Sequence, residues 1–136
     1  MEQNPFLKII TREIPAHIVY EDDVTLAFLD IRPNNPGHTL VIPKEPYKNI
    51  FDIPEELFSH MAKTAHLLAP LIREAVAADG INIHMNNEEA AGQVVFHAHL
   101  HIIPRFENDG YTHWGHRPYK EDEAVSIATS IRNRLS

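Results

Sequence analysis

The stretch HAHLHI, from His97 to Ile102, places imidazoles at three alternate positions. Successive side chains of a β-strand point to opposite faces, so as a strand this segment gathers His97, His99 and His101 on one side. They would spread over roughly 13 Å at ~3.3 Å per residue. Phe96, Ala98, Leu100 and Ile102 would form a core face on the other side. Three readings of the row are open. It can be a solvent-facing strand that is merely rich in histidine. It can be a metal site, since two histidines spaced H-x-H can share one zinc and His38 or His84 could add a third ligand. No acidic residue lies between Ala90 and Phe106 to orient such ligands. Or it can be a nucleophile with supporting rings, because a neutral imidazole attacks phosphorus well near pH 7. The preceding loop, Ala90-Ala91-Gly92-Gln93, could bring backbone N–H groups to a phosphate.

The elements that must position these rings can be read from periodicity and turn formers. Phe6, Ile9 and Ile10 have helical spacing in Asn4–Glu13, with Pro5 in the first turn and Pro15 as the stop. His17–Tyr20 and Val24–Ile31 read as strands joined by a turn at Glu21-Asp22-Asp23, and Thr39–Ile42 as a third strand ended by Pro43. Between them RPNNPGH, Arg32–His38, is a loop. A long helix starts at Asp52-Ile53-Pro54-Glu55, with Asp52 as its cap. It carries Leu57, Met61, Ala65, Leu68, Leu71 and Ile72 as an apolar stripe. Pro70 predicts a kink or break in it, and Gly80 its close. Ile81–Asn86 and Val94–Ile103 are the last strands, with Pro104 ending the histidine strand. Arg105–Tyr119 is an irregular tail, and Glu121–Leu135 a final helix with Val125, Ile127, Ala128, Ile131 and Leu135 toward a partner surface. Short loops make the first three strands antiparallel. The fold class is α+β: a five-stranded antiparallel sheet with an N-terminal helix, a long helix and a C-terminal tail and helix.

A chain of 136 residues is one domain's worth, expected to span 1–136. There is no apolar run of membrane-spanning length and no signal-peptide pattern over Met1–Glu13. The absence of cysteine removes disulfides and thiolate metal sites. A cytoplasmic setting is expected. A net charge of −7 supplies no basic footprint for nucleic acid.

HAHLHII resembles the histidine-triad signature, H-φ-H-φ-H-φ-φ with φ apolar. MNNEEAAGQVVFHAHLHIIPR around it, KIITREIPAHIVYEDD near the start and AFLDIRPNNPGHTLVIPK in the middle resemble the histidine-triad (HIT) nucleotide hydrolases. The resemblance covers about residues 4–108, in the family's order, and leaves about 109–136 as an extension. It is closer to the Hint branch than to the Fhit branch. It implies that His99 is the nucleophile on an α-phosphate and forms a nucleotidyl-histidine, that His101 contacts phosphate oxygens, and that His97 supports the ring network. It places Asn86, Gln93 and Val94 at the phosphate. Asp30 falls at the ribose hydroxyls, Phe6, Ile9, Phe28 and Ile31 at the base, and His38 near the triad on the nucleoside side.

Asn4 and Leu7 stand where many bacterial relatives have a C-x-x-C zinc pair, so no metal and no cofactor are expected. The implied enzyme hydrolyses a purine nucleoside phosphoramidate or related nucleoside phosphate. The alternatives are a dinucleoside polyphosphate hydrolase and a nucleotide-binding interaction module with weak turnover. A homodimer is expected, with Leu57, Met61, Leu68 and Leu71 offered at the contact, and neither nucleic acid nor membrane as a partner.

Overall fold

The computed structural model describes residues 4–135, so positions 1–3 and 136 of the expected domain lie outside the described residues. The elements are α1 (Pro5–Ile10), β1 (Ile18–Glu21), β2 (Thr25–Leu29), β3 (Thr39–Pro43), α2 (Glu55–Val76), β4 (Gly80–His84), β5 (Leu100–Arg105) and α3 (Glu123–Leu135). The five strands form one sheet in the order β1-β2-β3-β5-β4, and every neighbouring pair is antiparallel. The α+β expectation is therefore met.

Helix α2 covers one face of the sheet. Met61, Ala65 and Leu68 recur on one side of the helix and pack with Ala27, Val41, Leu100 and Ile102 of the strands. A second cluster, Phe6, Ile9, Leu26, Phe28, Leu40 and Ile42, lies where α1 meets the other face over β2 and β3. Much of that second face stays open, and the site is built there.

Several sequence expectations are corrected. Asp52 does not cap α2: its carboxylate accepts the N–H groups of Lys48 and Asn49, and Pro54 stands at the N-cap without a side-chain bond. Helix α2 runs unbroken through Pro70. Pro70 and His66 are both exposed, so water can satisfy the carbonyl that proline leaves unpaired. Ala77, in the left-handed conformation at φ 53°, ends the helix, while Gly80 opens β4.

Pro104 lies inside β5 rather than ending it. Its carbonyl accepts Asn35 Nδ2, on the side beyond the end of the β3 pairing, so its missing N–H falls there too and costs no ladder bond. The regular strand begins only at Leu100, and Phe96 is exposed instead of in the core. Met61 and Leu68 belong to the core beneath α2 and Leu57 packs against it, so of the four residues offered for a dimer contact Leu71 alone is exposed. No residue of α3 is buried, and Val125, Ile131 and Leu135 face solvent. Among the described residues no helix is long and apolar enough to cross a membrane.

Candidate active site

The antiparallel registers line up one row of side chains across the open face. Phe28 of β2 is opposite Leu40 of β3, Leu40 is opposite His101 of β5, and His101 is opposite His84 of β4. Directly opposed residues share a face. Apolar walls therefore sit at one end of the row and imidazoles at the other.

Each ring of the triad has a distinct set of partners, and the partners fix its tautomer. His97 is fully buried. Its Nε2 donates to the Pro43 carbonyl at 2.7 Å, and its Nδ1 accepts from Asn4 Nδ2 at 2.9 Å. Both nitrogens are thus occupied. His99 Nδ1 donates to the His97 carbonyl at 2.6 Å, which leaves the lone pair on Nε2. His99 lines a cleft of about 690 Å³.

His101 takes its tautomer from His38. The Asn34 backbone N–H donates to His38 Nδ1 at 3.0 Å, so the His38 proton sits on Nε2. That proton is donated to His101 Nδ1 at 2.9 Å, which puts the His101 proton on its own Nε2. His101 Nε2 is buried and has no hydrogen-bond partner among the described residues. A buried N–H without an acceptor costs free energy. Here it is a donor waiting for an anionic oxygen.

Burial is the leading cause that pushes His38, His97 and His99 below the ordinary imidazole range. For His101, burial and the neighbouring imidazoles together lower the pKa to about 3. All four rings are therefore neutral at pH 7, as a nucleophilic imidazole requires.

The cleft brings together most of the sequence candidates. Phe6, Ile9, Phe28 and Asp30 line it, with Ile31 and Val94 at its rim, each more than 80% exposed. Phe6 stands edge-on to Phe28, His97 and His99, with centroids 5.0–5.7 Å apart. Asp30 Oδ1 accepts the Arg32 N–H, while Oδ2 is 3.7 Å from His38, too far for a hydrogen bond. That oxygen is left to accept from a ligand. Asn86 also lines the cleft. Gly92 adopts φ +93°, and an added Cβ there would stand 3.8 Å from the Asn86 amide.

Two candidates do something else. Gln93 is buried, with Oε1 accepting from Asn49 Nδ2 and the Glu88 N–H, and Nε2 donating to the carbonyls of Lys48 and Val95. It braces the loop and touches no cleft. The backbone N–H groups of Ala91, Gly92 and Gln93 all bond back to Glu88 or Glu89, so they are spent within the loop. His38 lies behind His101 and does not line the cleft, so its part is to orient that ring.

Sequence reasoning missed Leu40, Asn4 and His84. Leu40 lines the cleft, and its strand parity with the triad was a usable signal. Asn4 caps α1 by accepting the Phe6 N–H, a role its place before Pro5 announces. Nothing in the sequence announces its second bond, to His97. His84, weighed in the sequence only as a possible third metal ligand, has its ring 4.7 Å from that of His101.

Asp30, His38 and His101 also offer ligand atoms within 4.8 Å of one another. The facing nitrogens of His38 and His101 already share a proton at 2.9 Å, so this cluster is a hydrogen-bonded relay rather than an open donor set. Of the two positions weighed for a zinc pair, Asn4 is the cap of α1 and Leu7 is exposed.

The HIT domain family model matches residues 11–108. The chain is 43% identical over 136 residues to the adenylylsulfatase HINT3 of Arabidopsis thaliana, covering 96% of this chain and 68% of that one. The crystal structure of a HIT family member from Bacillus subtilis superposes with a TM-score of 0.91 at 41% identity, covering 99% of both chains. That of a histidine triad nucleotide-binding protein from Candida albicans gives 0.85 at 28% identity, over 98% of this chain and 97% of that one.

Proposed function

The chain belongs to the histidine-triad family, and from that premise we propose that it is a hydrolase acting at the α-phosphate of a purine nucleoside phosphoramidate or related nucleoside phosphate. The carrying observation is the division of labour among the three rings. His99 holds a lone pair on Nε2, and in the neighbouring His101 ring, 4.9 Å away, a buried Nε2–H has no partner among the described residues.

In the first step His99 Nε2 attacks phosphorus, a P–N bond forms, and the bond to the leaving amine breaks as that nitrogen takes a proton from solvent, which the water of the second step returns. The His101 N–H donates to a non-bridging phosphate oxygen as charge builds there. The His97 carbonyl, already bonded to His99 Nδ1–H, supports the positive charge that the nucleophilic ring acquires. Water then cleaves the P–N bond and releases the mononucleotide and a neutral His99. On this reading Asp30 Oδ2 accepts from ribose hydroxyls and Phe6, Ile9 and Phe28 hold the base, which their common cleft supports.

A binding module needs a pocket but not rings held in fixed tautomers, so the His97 carbonyl bonded to His99 and the relay from Asn34 through His38 to His101 support chemistry over binding alone. The names of two relatives, an adenylylsulfatase and a nucleotide-binding protein, fit the same substrate class. We assign catalysis to about residues 4–108 and treat the rest as an extension of the same domain. The activity is placed in the cytoplasm, with neither nucleic acid nor membrane as partner. A homodimer would use the exposed Ile83 of edge strand β4 with the exposed Ala62, His66 and Pro70 of α2 beside it, and a monomer by sedimentation at micromolar concentration would oppose it.

The test is chemical. Enzyme quenched during turnover of adenosine 5′-phosphoramidate at neutral or mildly basic pH should carry one nucleoside monophosphate on the peptide containing His99. Turnover should survive chelation. Label on another residue, or turnover lost on chelation and restored by zinc, would overturn the reading.

A further inference from the structure

The loop between β4 and β5 reaches the cleft at both ends. Asn86 lines it at one end and Gly92, Val94 and Val95 at the other, alongside His99 and His101. Between them the chain bends sharply. Glu88 has φ 79° and ψ 158°, a region that is essentially reserved for glycine. A residue with a side chain is strained there, and it stays only where its surroundings fix it.

Glu88 is fixed by every polar group it has. Its N–H donates to Gln93 Oε1 at 2.9 Å, and its carbonyl accepts the N–H groups of Ala91 and Gln93 at 3.0 and 3.2 Å. Its carboxylate accepts from Asn49 Nδ2 at 2.8 Å and lies 3.4 Å from Lys48 Nζ. The Asn49 bond is the leading cause that holds this carboxyl below its ordinary range. Asn49 Nδ2 also donates to Gln93 Oε1 at 3.0 Å. One buried amide, 1% exposed, therefore directs both of its N–H protons at the loop, one near each end. Its Oδ1 accepts the Phe51 N–H, which keeps the amide from turning over. The seam continues on either side: Gln93 Nε2 donates to the Lys48 carbonyl, and Asn87 Oδ1 accepts the Ile50 N–H.

Asn49, Glu88 and Gln93 do not line the cleft, so they grip the loop from behind. From this we infer that Asn49 is a positioning residue: through Glu88 and Gln93 it holds the loop bent, so that the Asn86 amide meets the phosphoryl group beside His99. The inference rests on the function proposed above. Gly92 lies against the Asn86 amide, so the two ends of the loop move together. The consequence is a split between rate and binding. Phe6, Ile9 and Phe28 belong to α1 and β2 and are not carried by this loop. A slackened loop displaces a group at phosphorus and leaves the nucleoside walls in place. A misplacement of about 1 Å at the reacting centre can lower the rate on the order of 100-fold.

The test measures turnover of adenosine 5′-phosphoramidate by the intact protein, with adenosine as a competitive inhibitor that lacks the phosphate. Asn49→Asp keeps the shape, cannot donate, and sets a second carboxylate against Glu88. Its kcat should fall by about 10- to 100-fold, with the adenosine inhibition constant within about threefold of wild type. Adding Glu88→Gln restores that bond with donor and acceptor exchanged, and should recover about half of the loss on a logarithmic scale, since the contact with Gln93 stays broken. Glu88→Ala truncates a half-exposed side chain and tests the same grip without touching the buried amide; its kcat should fall about tenfold. A merely structural amide would lower the thermal midpoint and leave kcat of the folded enzyme unchanged. Wild-type kcat in folded Asn49→Asp or Glu88→Ala would overturn the inference, as would adenosine binding lost in step with kcat, or a double variant no faster than Asn49→Asp. If Asn49→Asp does not fold, Glu88→Ala decides alone. Wild type that does not turn over the phosphoramidate would instead refute the proposed function, and this inference with it.

Discussion

The sheet buries side chains on both faces, and it does so on different terms. Under α2, Ala27, Val41, Leu100 and Ile102 meet Met61, Ala65 and Leu68, with no polar atom among those side chains. Such a face is stabilised by area and fit, and apolar residues of similar volume can replace one another in it. On the opposite face His97 and His99 are just as buried, but each imidazole nitrogen taken from water needs a partner. His97 has two partners, His99 and His101 one each, and what remains on the last two is a lone pair and an N–H. One face stores stability without direction. The other accepts a cost in stability to hold two atoms in fixed directions.

The largest expected effect tests that division on the open face. His99→Asn keeps a polar group but removes the nucleophile, and turnover should fall by about three orders of magnitude or more. Mononucleotide binding and the thermal midpoint should change little, because Asp30 and the apolar walls are untouched. Near-wild-type turnover would return the metal and binding-module readings to contention.

The converse is Met61→Ala, on the helix face. Met61 is completely buried, and truncation should cost about 2–5 kcal/mol, read as a lower urea midpoint. Rate constants measured where the variant is still folded should match wild type. A large loss of kcat in the folded variant would mean that the two faces are not separable.

His38→Phe sharpens the comparison further. The ring volume stays, but the donor to His101 Nδ1 is gone, so the His101 proton is no longer confined to Nε2. Turnover should drop about 10- to 100-fold, between the effect of losing a nucleophile and that of losing a remote contact. A His38→Phe enzyme as fast as wild type would show that the relay does not set the His101 tautomer.

These effects also mark what was legible in the sequence. The apolar face was: a helical stripe marked α2, and runs rich in β-branched and aromatic residues between turn formers placed β2 and β3 within a residue or two, both strands being buried along nearly all their length. The triad was legible as a motif, with its cleft. The bonding of individual atoms was not, because it depends on residues far apart in the chain: Asn4 meets His97 across 93 positions, and Gln93 is claimed by Asn49 from 44 positions away. The resemblance put Gln93 at the phosphate, and only the fold shows its side chain engaged by Asn49. The start of β5 was misjudged because His97 and His99 turn toward carbonyls, Pro43 and His97, that an ideal strand would not offer them.

The cost of buried imidazole predicts a pH dependence. The unfolded chain takes up protons near pH 6.5, whereas folded His101 does so only at about 3, and His97, His99 and His38 are lowered as well. Between those values the unfolded state binds more protons, so stability rises with pH and is lost as pH falls through that window. The thermal midpoint should decline from pH 7 to pH 5. His101→Gln should make the decline shallower by roughly one proton's share. An equal slope in the variant would contradict a neutral His101.

The smallest effect on turnover belongs to Asn4→Ala, where α1 meets the histidine segment. Asn4 Oδ1 accepts the Phe6 N–H at the start of α1, and Nδ2 donates to His97 Nδ1. Loss of the cap should cost about 1 kcal/mol. Loss of the second bond leaves Nδ1 of the buried His97 without a partner, which should cost about 1–3 kcal/mol more even though Nε2 keeps its bond to the Pro43 carbonyl. Turnover should fall only a few-fold, because His97 reaches the chemistry through its carbonyl on His99 rather than through its ring. Asn4→Asp separates the two roles: an aspartate still caps, and cannot donate to His97. If the Asp variant regains the cap's share of stability while its rate stays at the Ala level, the cap is structural and the bond to His97 accounts for the residual catalytic effect. If both are regained together, the bond between α1 and the histidine segment contributes nothing to the rate.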